Sequence, residues 1–156
     1  MSRKIFGVGN PLLCDDGVGV WLSKGIVIPP DATVIQGEIF VADCLLHIEE
    51  GDAVIILDAV QFELPAGEVV VLPFEDCKRY FPPMAFCHDA SLLHSLLYGN
   101  QNTQGFLIGV QVAEIRYFEG LSPALTEMLP DIVERVNRAI AAACARFCGH
   151  KASRGM

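Results

Sequence analysis

The sequence predicts one α/β domain, built on a twisted, mostly parallel five-stranded sheet with helices on both faces and one antiparallel strand. Strand-like apolar runs alternate with segments in which apolar residues recur at helical spacing, which is the order typical of such folds. Two runs, 53–57 and 105–112, are almost entirely apolar, as expected of strands buried on both faces. With 156 residues, of which 52% are apolar and 19% charged, the chain can form a substantial core.

The first third of the chain contains a predicted strand–helix–strand–helix–strand series. The first strand turns on glycines into a helix that begins near two adjacent aspartates, and β-branched residues mark the second strand. In the second helix, Val41, Leu45 and Ile48 share one apolar face. The third strand is predicted to end at Asp58. The predicted strands are 3–9, 33–38 and 53–57, and the predicted helices are 16–24 and 41–50.

After Asp58 the chain is predicted to reverse. The connection 59–66 is too short for a parallel crossover, so the strand at 67–73 is expected to run antiparallel to the third strand. The segment 75–87 is irregular and is interpreted either as a lid or as a surface crossing. The apolar pattern after His88 predicts a helix with Asp89 as its N-cap.

The last strand, 105–112, is followed by a loop and a long closing helix. Ser122-Pro123 is a strong helix start, with a capping side chain before proline at the first helical position. Pro130 is expected to bend this helix or split it in two. We predict a domain over 1–148 and a frayed tail over 149–156, with no repeat or linker.

Composition restricts the possible partners and location. The net charge of −8 argues against nucleic acid or an anionic membrane surface, and is compatible with a cation or a basic protein segment. No apolar run approaches the roughly 20 residues of a membrane span, and the start of the chain lacks a signal peptide's apolar region. A cytoplasmic location is therefore expected, with all six cysteines as free thiols.

Asp16, Asp58 and His88 are the candidate site residues. Each follows, directly or nearly, an apolar strand, and such positions gather at one edge of an α/β sheet. Two carboxylates and an imidazole suit a divalent transition metal with open coordination positions. Their spacings of 42 and 30 residues match no local zinc motif, so the fold would have to assemble the site.

Each of the three residues also has a simpler explanation. Asp16 can serve only to cap a helix, Asp58 can merely end a strand, and His88 can be a surface histidine. The remaining histidines are weaker candidates, because two lie within helical patterns and one in the tail: His47, His94 and His150.

Two other site types fit the sequence poorly. Gly7 and Gly9 begin like a dinucleotide fingerprint, but leucine replaces its third glycine, and Asp15 and Asp16 would oppose a phosphate at the helix start. A serine or cysteine hydrolase is not supported either, because there is no Gly-x-Ser-x-Gly elbow and the adjacent Cys87 and His88 do not form a triad.

Five motifs occur along the chain in this order: Gly7-x-Gly-Asn-Pro-Leu-x-x-Asp-Asp-Gly-x-Gly19, Asp58-Ala59, Pro65-Ala-Gly67, His88-Asp89 and Gly120-Leu-Ser-Pro123. With these motifs, nearly the whole chain, about residues 4–140, resembles the nickel–iron hydrogenase maturation endopeptidases. The resemblance implies an aspartyl-type endopeptidase that removes a short C-terminal extension from the nickel-loaded large-subunit precursor of a hydrogenase. It also implies that Asp16, Asp58 and His88 are catalytic residues and metal ligands, toward Ni²⁺ presented by the substrate or, in vitro, another divalent ion such as Zn²⁺.

The mechanism and some details stay open at this point. The metal can be a recognition tag carried by the substrate, or a hydrolytic centre whose bound water attacks the peptide bond. The family often has a small hydroxyl residue at the position of Cys87, and a glycine-rich stretch where this chain has the bulkier 61–64. A non-catalytic nickel-binding chaperone, or a peptidase of similar fold acting on an unrelated protein, is the alternative.

Overall fold

The computed structural model describes residues 2–83, 91–99 and 102–154. Its centre is one five-stranded sheet in the order β2-β1-β3-β5-β4. The strands are β1 Arg3–Val8, β2 Ala32–Glu38, β3 Ala53–Val60, β4 Val69–Pro73 and β5 Gln104–Gln111.

Four of the strands are parallel, and the edge strand β4 pairs with β5 in the antiparallel direction. The predicted fold class is therefore confirmed, including the single antiparallel strand. β4 is separated from β3 by β5, so the strand that follows β3 in sequence is not its neighbour in the sheet. All four parallel strands end at one edge, which is where open α/β sheets place their ligands.

Helices cover both faces of the sheet, as predicted. Neighbouring strand residues such as Ile5 and Phe6 belong to different core clusters because successive side chains point to opposite faces. One cluster includes residues of α1 and α5, and the other includes residues of α2, α3 and α4. The helices are α1 Val18–Gly25, α2 Val41–Leu46, α3 Phe74–Cys77, α4 Leu92–Tyr98 and α5 Pro123–Arg154, and a 3-10 turn, Cys14–Gly17, precedes α1.

The end of β3 differs from the prediction. Asp58 does not terminate the strand, because β3 continues to Val60 and stays paired with β5 as far as Gln111. The pairing of β3 with β1, by contrast, ends at Leu57 opposite Gly7. Asp58 therefore lies inside β3 but just beyond the last residue of β3 that pairs with β1.

Two helix details also differ from the prediction. In the shorter α2, Cys44 is buried, whereas Leu45 is 37% exposed, so Leu45 is not a core position. The cap of α4 is Ser91, whose hydroxyl accepts a hydrogen bond from the His94 N–H at 3.1 Å. Asp89, the predicted cap, lies outside the described residues. The same is true of residues 84–87, the last part of the segment predicted to be irregular. In its described part that segment contains the short helix α3.

α5 is one continuous helix and is not split at Pro130. Proline has no N–H, so the Thr126 carbonyl loses its hydrogen bond from position 130. Both residues are exposed, so water can donate to this carbonyl instead. The helix also extends to Arg154, beyond the predicted start of the tail at Gly149. In the described part of the chain, five cysteines are free, and no helix is long and apolar enough to cross a membrane.

Candidate active site

Asp58 lies at the carboxyl edge of the sheet, beside the point where β1 ends. The chain leaves β1 at Gly9, whose N–H donates to the Glu38 carbonyl at 3.0 Å. On this side, the backbone of Asp58 is not paired with β1. The Ala59 N–H donates to Asp58 Oδ1 at 2.8 Å, and the side chain is half-buried.

Asp16 reaches the same place from the 3-10 turn before α1. Its Oδ2 accepts a hydrogen bond from the Asn10 N–H at 3.0 Å, which fixes the carboxylate against the loop after β1. Gly9, at φ +125°, separates the two aspartates: a Cβ there would stand 2.1 Å from the Asp16 carbonyl oxygen and 3.5 Å from Asp58 Oδ1. Only glycine allows this close approach.

The two carboxylates affect each other electrostatically. The pKa of Asp58 is raised to about 8, mainly by burial. The Ala59 N–H opposes this rise, and the neighbouring charge of Asp16 adds to it. The structure therefore brings together two of the three predicted site residues, and gives them no cationic partner in the described part of the chain. This arrangement suits a cation.

His88 lies outside the described residues, so its place as a third ligand stays a prediction. Within residues 2–83, 91–99 and 102–154, no three histidine, cysteine, aspartate or glutamate side chains are grouped in a way that could hold a metal ion. Asp16 and Asp58 supply hard oxygen donors, and a complete site for a borderline metal such as Ni²⁺ or Zn²⁺ needs at least one further ligand.

Asp15 has a different role from its neighbour. Its side chain is fully buried, and Oδ2 accepts hydrogen bonds from the Ala113 and Glu114 N–H groups, both at 2.9 Å, and from the Ser122 hydroxyl at 2.8 Å. Oδ1 accepts from the Ser122 N–H at 2.7 Å. Asp15 therefore fastens the loop between β5 and α5 to the turn that carries Asp16.

These hydrogen bonds also affect the pKa of Asp15. Burial alone would raise the pKa, but the hydrogen bonds from Ser122, Glu114 and Ala113 lower it below the ordinary value. The sequence indicated Asp15 only as an acidic residue near a helix start and Ser122 only as a cap. Ser122 does cap α5, accepting from the Leu125 N–H at 3.2 Å, but its bonds to Asp15 could not be found from spacing.

The comparisons with known proteins identify the family. The model of the hydrogenase maturation proteases matches residues 22–139, which is most of the chain. The chain belongs to this family. It is therefore a peptidase that acts in hydrogenase maturation.

Relatives and solved structures agree with this assignment. The hydrogenase expression/formation protein HupM of Azotobacter chroococcum is 26% identical over 149 residues, covering 84% of this chain and 71% of the relative. HoxM of Azotobacter vinelandii is also 26% identical, over 84% of this chain and 72% of its own. The hydrogenase maturating endopeptidase HybD from E. coli shares the fold with a TM-score of 0.74 at 23% identity, over 91% of this chain and 93% of that one.

The signature glycines of this maturation protease hold the site's strand, turn and helix together. A Cβ on Gly7 would stand 2.5 Å from the Gly19 carbonyl oxygen, and one on Gly19 would stand 2.1 Å from the Leu57 carbonyl oxygen. One on Gly17 would stand 2.5 Å from the Pro11 Cα. The family match begins after this motif, but the same contacts explain why glycine is needed at each position.

Within the bulky segment 61–64 of this protease, Phe62 packs against neighbouring aromatic rings. The Phe62 and Leu64 N–H groups donate to Gln111 Oε1 at 2.8 and 3.3 Å. The Phe62 ring lies 5.6 Å from that of Tyr80 and 5.7 Å from that of Phe81. An aromatic contact with the chain after α3 therefore holds this segment in place.

A cavity of about 560 Å³ lies at the opposite edge of the sheet, near the first residues of β3 and β5. Its lining includes Asp52, Phe74, Lys78, Phe106 and Arg146. It contains neither Asp16 nor Asp58, so the candidate active site is the open carboxyl edge and not this cavity.

Proposed function

We propose that this maturation protease removes a C-terminal extension from the nickel-loaded large-subunit precursor of a nickel–iron hydrogenase. The observation that supports the proposal is the convergence of Asp16 and Asp58 at the carboxyl edge of the sheet, in a chain of the hydrogenase maturation protease family. The family assignment supplies the peptidase activity, and the two carboxylates supply a place for the metal of the substrate.

In this proposal Asp16, Asp58 and His88 bind the nickel that the precursor already carries. Carboxylate and imidazole groups accept such a divalent ion, and the two aspartates leave the rest of its coordination to His88 and the precursor. Asn10 orients Asp16 through the 3.0 Å hydrogen bond, and Gly9 places no side chain beside Asp58 Oδ1. The metal then serves as a recognition tag that positions the peptide bond at the sheet edge.

A metal exchange tests the recognition mechanism. Nickel or zinc is added to a metal-free precursor, and cleavage by the intact enzyme is followed by mass spectrometry. We expect cleavage with nickel and none with zinc alone, whereas cleavage restored by zinc alone would favour a hydrolytic metal site. An Asp16→Asn variant does not separate the two mechanisms, because neutralising one carboxylate weakens either site.

The alternative, a non-catalytic nickel-binding chaperone, is tested in the same samples. It predicts that the precursor binds to this protein and keeps its full mass under every metal condition. A Glu50→Gln variant is a suitable control, because Glu50 is exposed and lies before β3, at the opposite edge of the sheet. It should cleave as the unmodified enzyme does.

A further inference from the structure

The connections that follow the parallel strands form one surface around Asp16 and Asp58. We call this surface the rim and define it as residues 9–17, 38–43, 61–68 and 112–121. Seven of the fifteen exposed large apolar side chains in the described part of the chain belong to it. They are Leu12, Ile39, Phe40, Leu64, Ile115, Tyr117 and Phe118. Such a concentration beside a catalytic site is typical of an interaction surface.

Backbone hydrogen bonds connect the parts of the rim. The Phe118 N–H donates to the Leu12 carbonyl at 3.0 Å, so these two exposed apolar residues lie together. On the other side, the bond from the Gly9 N–H to the Glu38 carbonyl places Ile39 beside the same loop. Apolar side chains therefore flank the loop after β1 on two sides.

The 113–121 part of the rim is held in place although it has no regular secondary structure. Asp15 binds both of its ends, through Ala113, Glu114 and Ser122, and the Cys14 N–H donates to the Phe118 carbonyl at 2.9 Å. Between these anchors Tyr117 is 92% exposed. An aromatic side chain on a pre-organised loop loses little entropy on binding, which is typical of residues that dominate an interface.

The charge of the rim indicates the chemistry of its partner. Its only cationic side chain is Arg116, which lies over the Phe118 ring and pairs with Glu114 at 3.8 Å. Besides the buried Asp15 and the proposed metal ligand Asp16, the rim has six carboxylates against this single guanidinium, namely Glu38, Asp43, Glu63, Glu68, Glu114 and Glu119. An apolar surface with such an excess of negative charge favours a basic, partly apolar segment.

We propose that the rim docks a basic and apolar segment of the precursor next to the cleaved bond, with Tyr117 as the main anchor. This inference rests on the proposed function, because it names the surface by which that substrate is recognised. The apolar and charged contacts of the rim are distinct from the contacts of the metal with Asp16 and Asp58.

Steady-state kinetics of a Tyr117→Ala variant test the anchor. We expect KM to rise about 10-fold with kcat within about twofold, since truncating one interface anchor typically weakens binding by that order. Val27→Ala is the matched control, because Val27 is 71% exposed but precedes β2 at the opposite edge. An unchanged KM in the Tyr117 variant would overturn the proposal.

Charge reversal tests the electrostatic part. Glu119→Lys should raise KM several-fold at low salt and less at high salt, because salt screens the interaction between charges. Glu50→Lys should leave KM unchanged at both salt concentrations. Equal effects of the two reversals would refute a role of the rim's charge. The proposed function is tested separately. If the unmodified enzyme binds the precursor but does not cleave it, the proposed function is wrong. The affinities of the Tyr117 and Glu119 variants for the precursor would still show whether the rim docks the precursor.

Discussion

Adjacent aspartates in this protein have different roles because their side chains leave the 3-10 turn in different surroundings. Asp15 is buried and satisfied by four N–H and O–H donors, whereas Asp16 accepts from Asn10 and lies near Asp58. The sequence could identify the Asp-Asp pair as a candidate site, but it could not assign the two roles. The partners of Asp15 are 98 to 107 residues away and become neighbours only in the fold.

Replacing Asp58 tests the raised pKa of its carboxyl group. The folded protein holds a proton on Asp58 between the ordinary value of 3.8 and about 8, whereas the unfolded chain does not. The contribution of Asp58 to stability therefore falls as the pH rises through this window. An Asp58→Asn variant should melt only slightly above the unmodified protein at pH 5, near the start of this window, and well above it at pH 9. The difference should be about 2–4 °C for each kcal/mol that Asp58 has lost.

Thermal melts at several pH values measure this difference. Glu50→Gln is the control, because Glu50 is exposed and lies at the opposite edge of the sheet, and its melting difference should be the same at pH 5 and pH 9. A constant difference for Asp58→Asn would show that its pKa is not raised in the folded protein.

Replacing Asp15 tests whether its hydrogen bonds hold the loop between β5 and α5 in place. Asp15→Ala leaves three N–H groups and the Ser122 hydroxyl without their acceptor, and we expect a loss of roughly 3–5 kcal/mol in the free energy of unfolding. Urea unfolding provides the measurement. Asp43→Ala, at an exposed position, should change stability by no more than about 0.5 kcal/mol.

A milder variant covers the case in which Asp15→Ala does not fold. Ser122→Ala removes the hydroxyl that donates to Asp15 and caps α5, and should cost about 1–2 kcal/mol. If either variant is as stable as the unmodified protein, the hydrogen bonds to Asp15 do not stabilise this loop as proposed.

At the scale of elements, the site depends on how closely α1 lies against the sheet. A Cβ on Gly19 would meet the Leu57 and Val8 carbonyl oxygens at 2.1 and 2.6 Å, and these backbone atoms cannot move independently of the strands. The glycines at the two ends of the signature, Gly7 and Gly19, also contact each other. The spacing of the motif therefore reflects strand–helix packing as well as the position of Asp16.

A pair of alanine substitutions in α1 tests this packing. Gly19→Ala should destabilise the protein by about 2–3 kcal/mol, because the helix must shift away from the strands. Gly25→Ala lies in the same helix with no atom within 4 Å of its Cβ, and should be neutral or stabilising by up to about 1 kcal/mol. Chemical denaturation of both variants gives the comparison, and equal effects would refute the close approach.

The sequence predicted which elements exist better than where they end. The apolar run 53–57 marked β3, but the run does not show that pairing with β5 continues past Asp58. Pro130 was expected from local geometry to bend α5 or split it in two, whereas the exposure of that turn allows one unsplit helix. In both cases tertiary surroundings that no local pattern contains decided the outcome.

At the scale of the whole molecule, the order of strands and helices was enough to predict the sheet and the edge that carries the site. Asp16 and Asp58 were expected to converge because parallel strands end together, and they do. The docking rim could not be predicted in this way, since its residues come from four separate connections. Their shared surface appears only when the strand order is known.

The most direct test of the account is the mass of a nickel–iron hydrogenase large-subunit precursor after incubation with this protein, with and without prior nickel loading. We predict loss of a C-terminal fragment from the nickel-loaded precursor alone. Cleavage of both samples would support the peptidase activity but contradict the role of nickel as the recognition tag. An unchanged mass in both samples, despite measurable binding, would contradict the proposed cleavage itself.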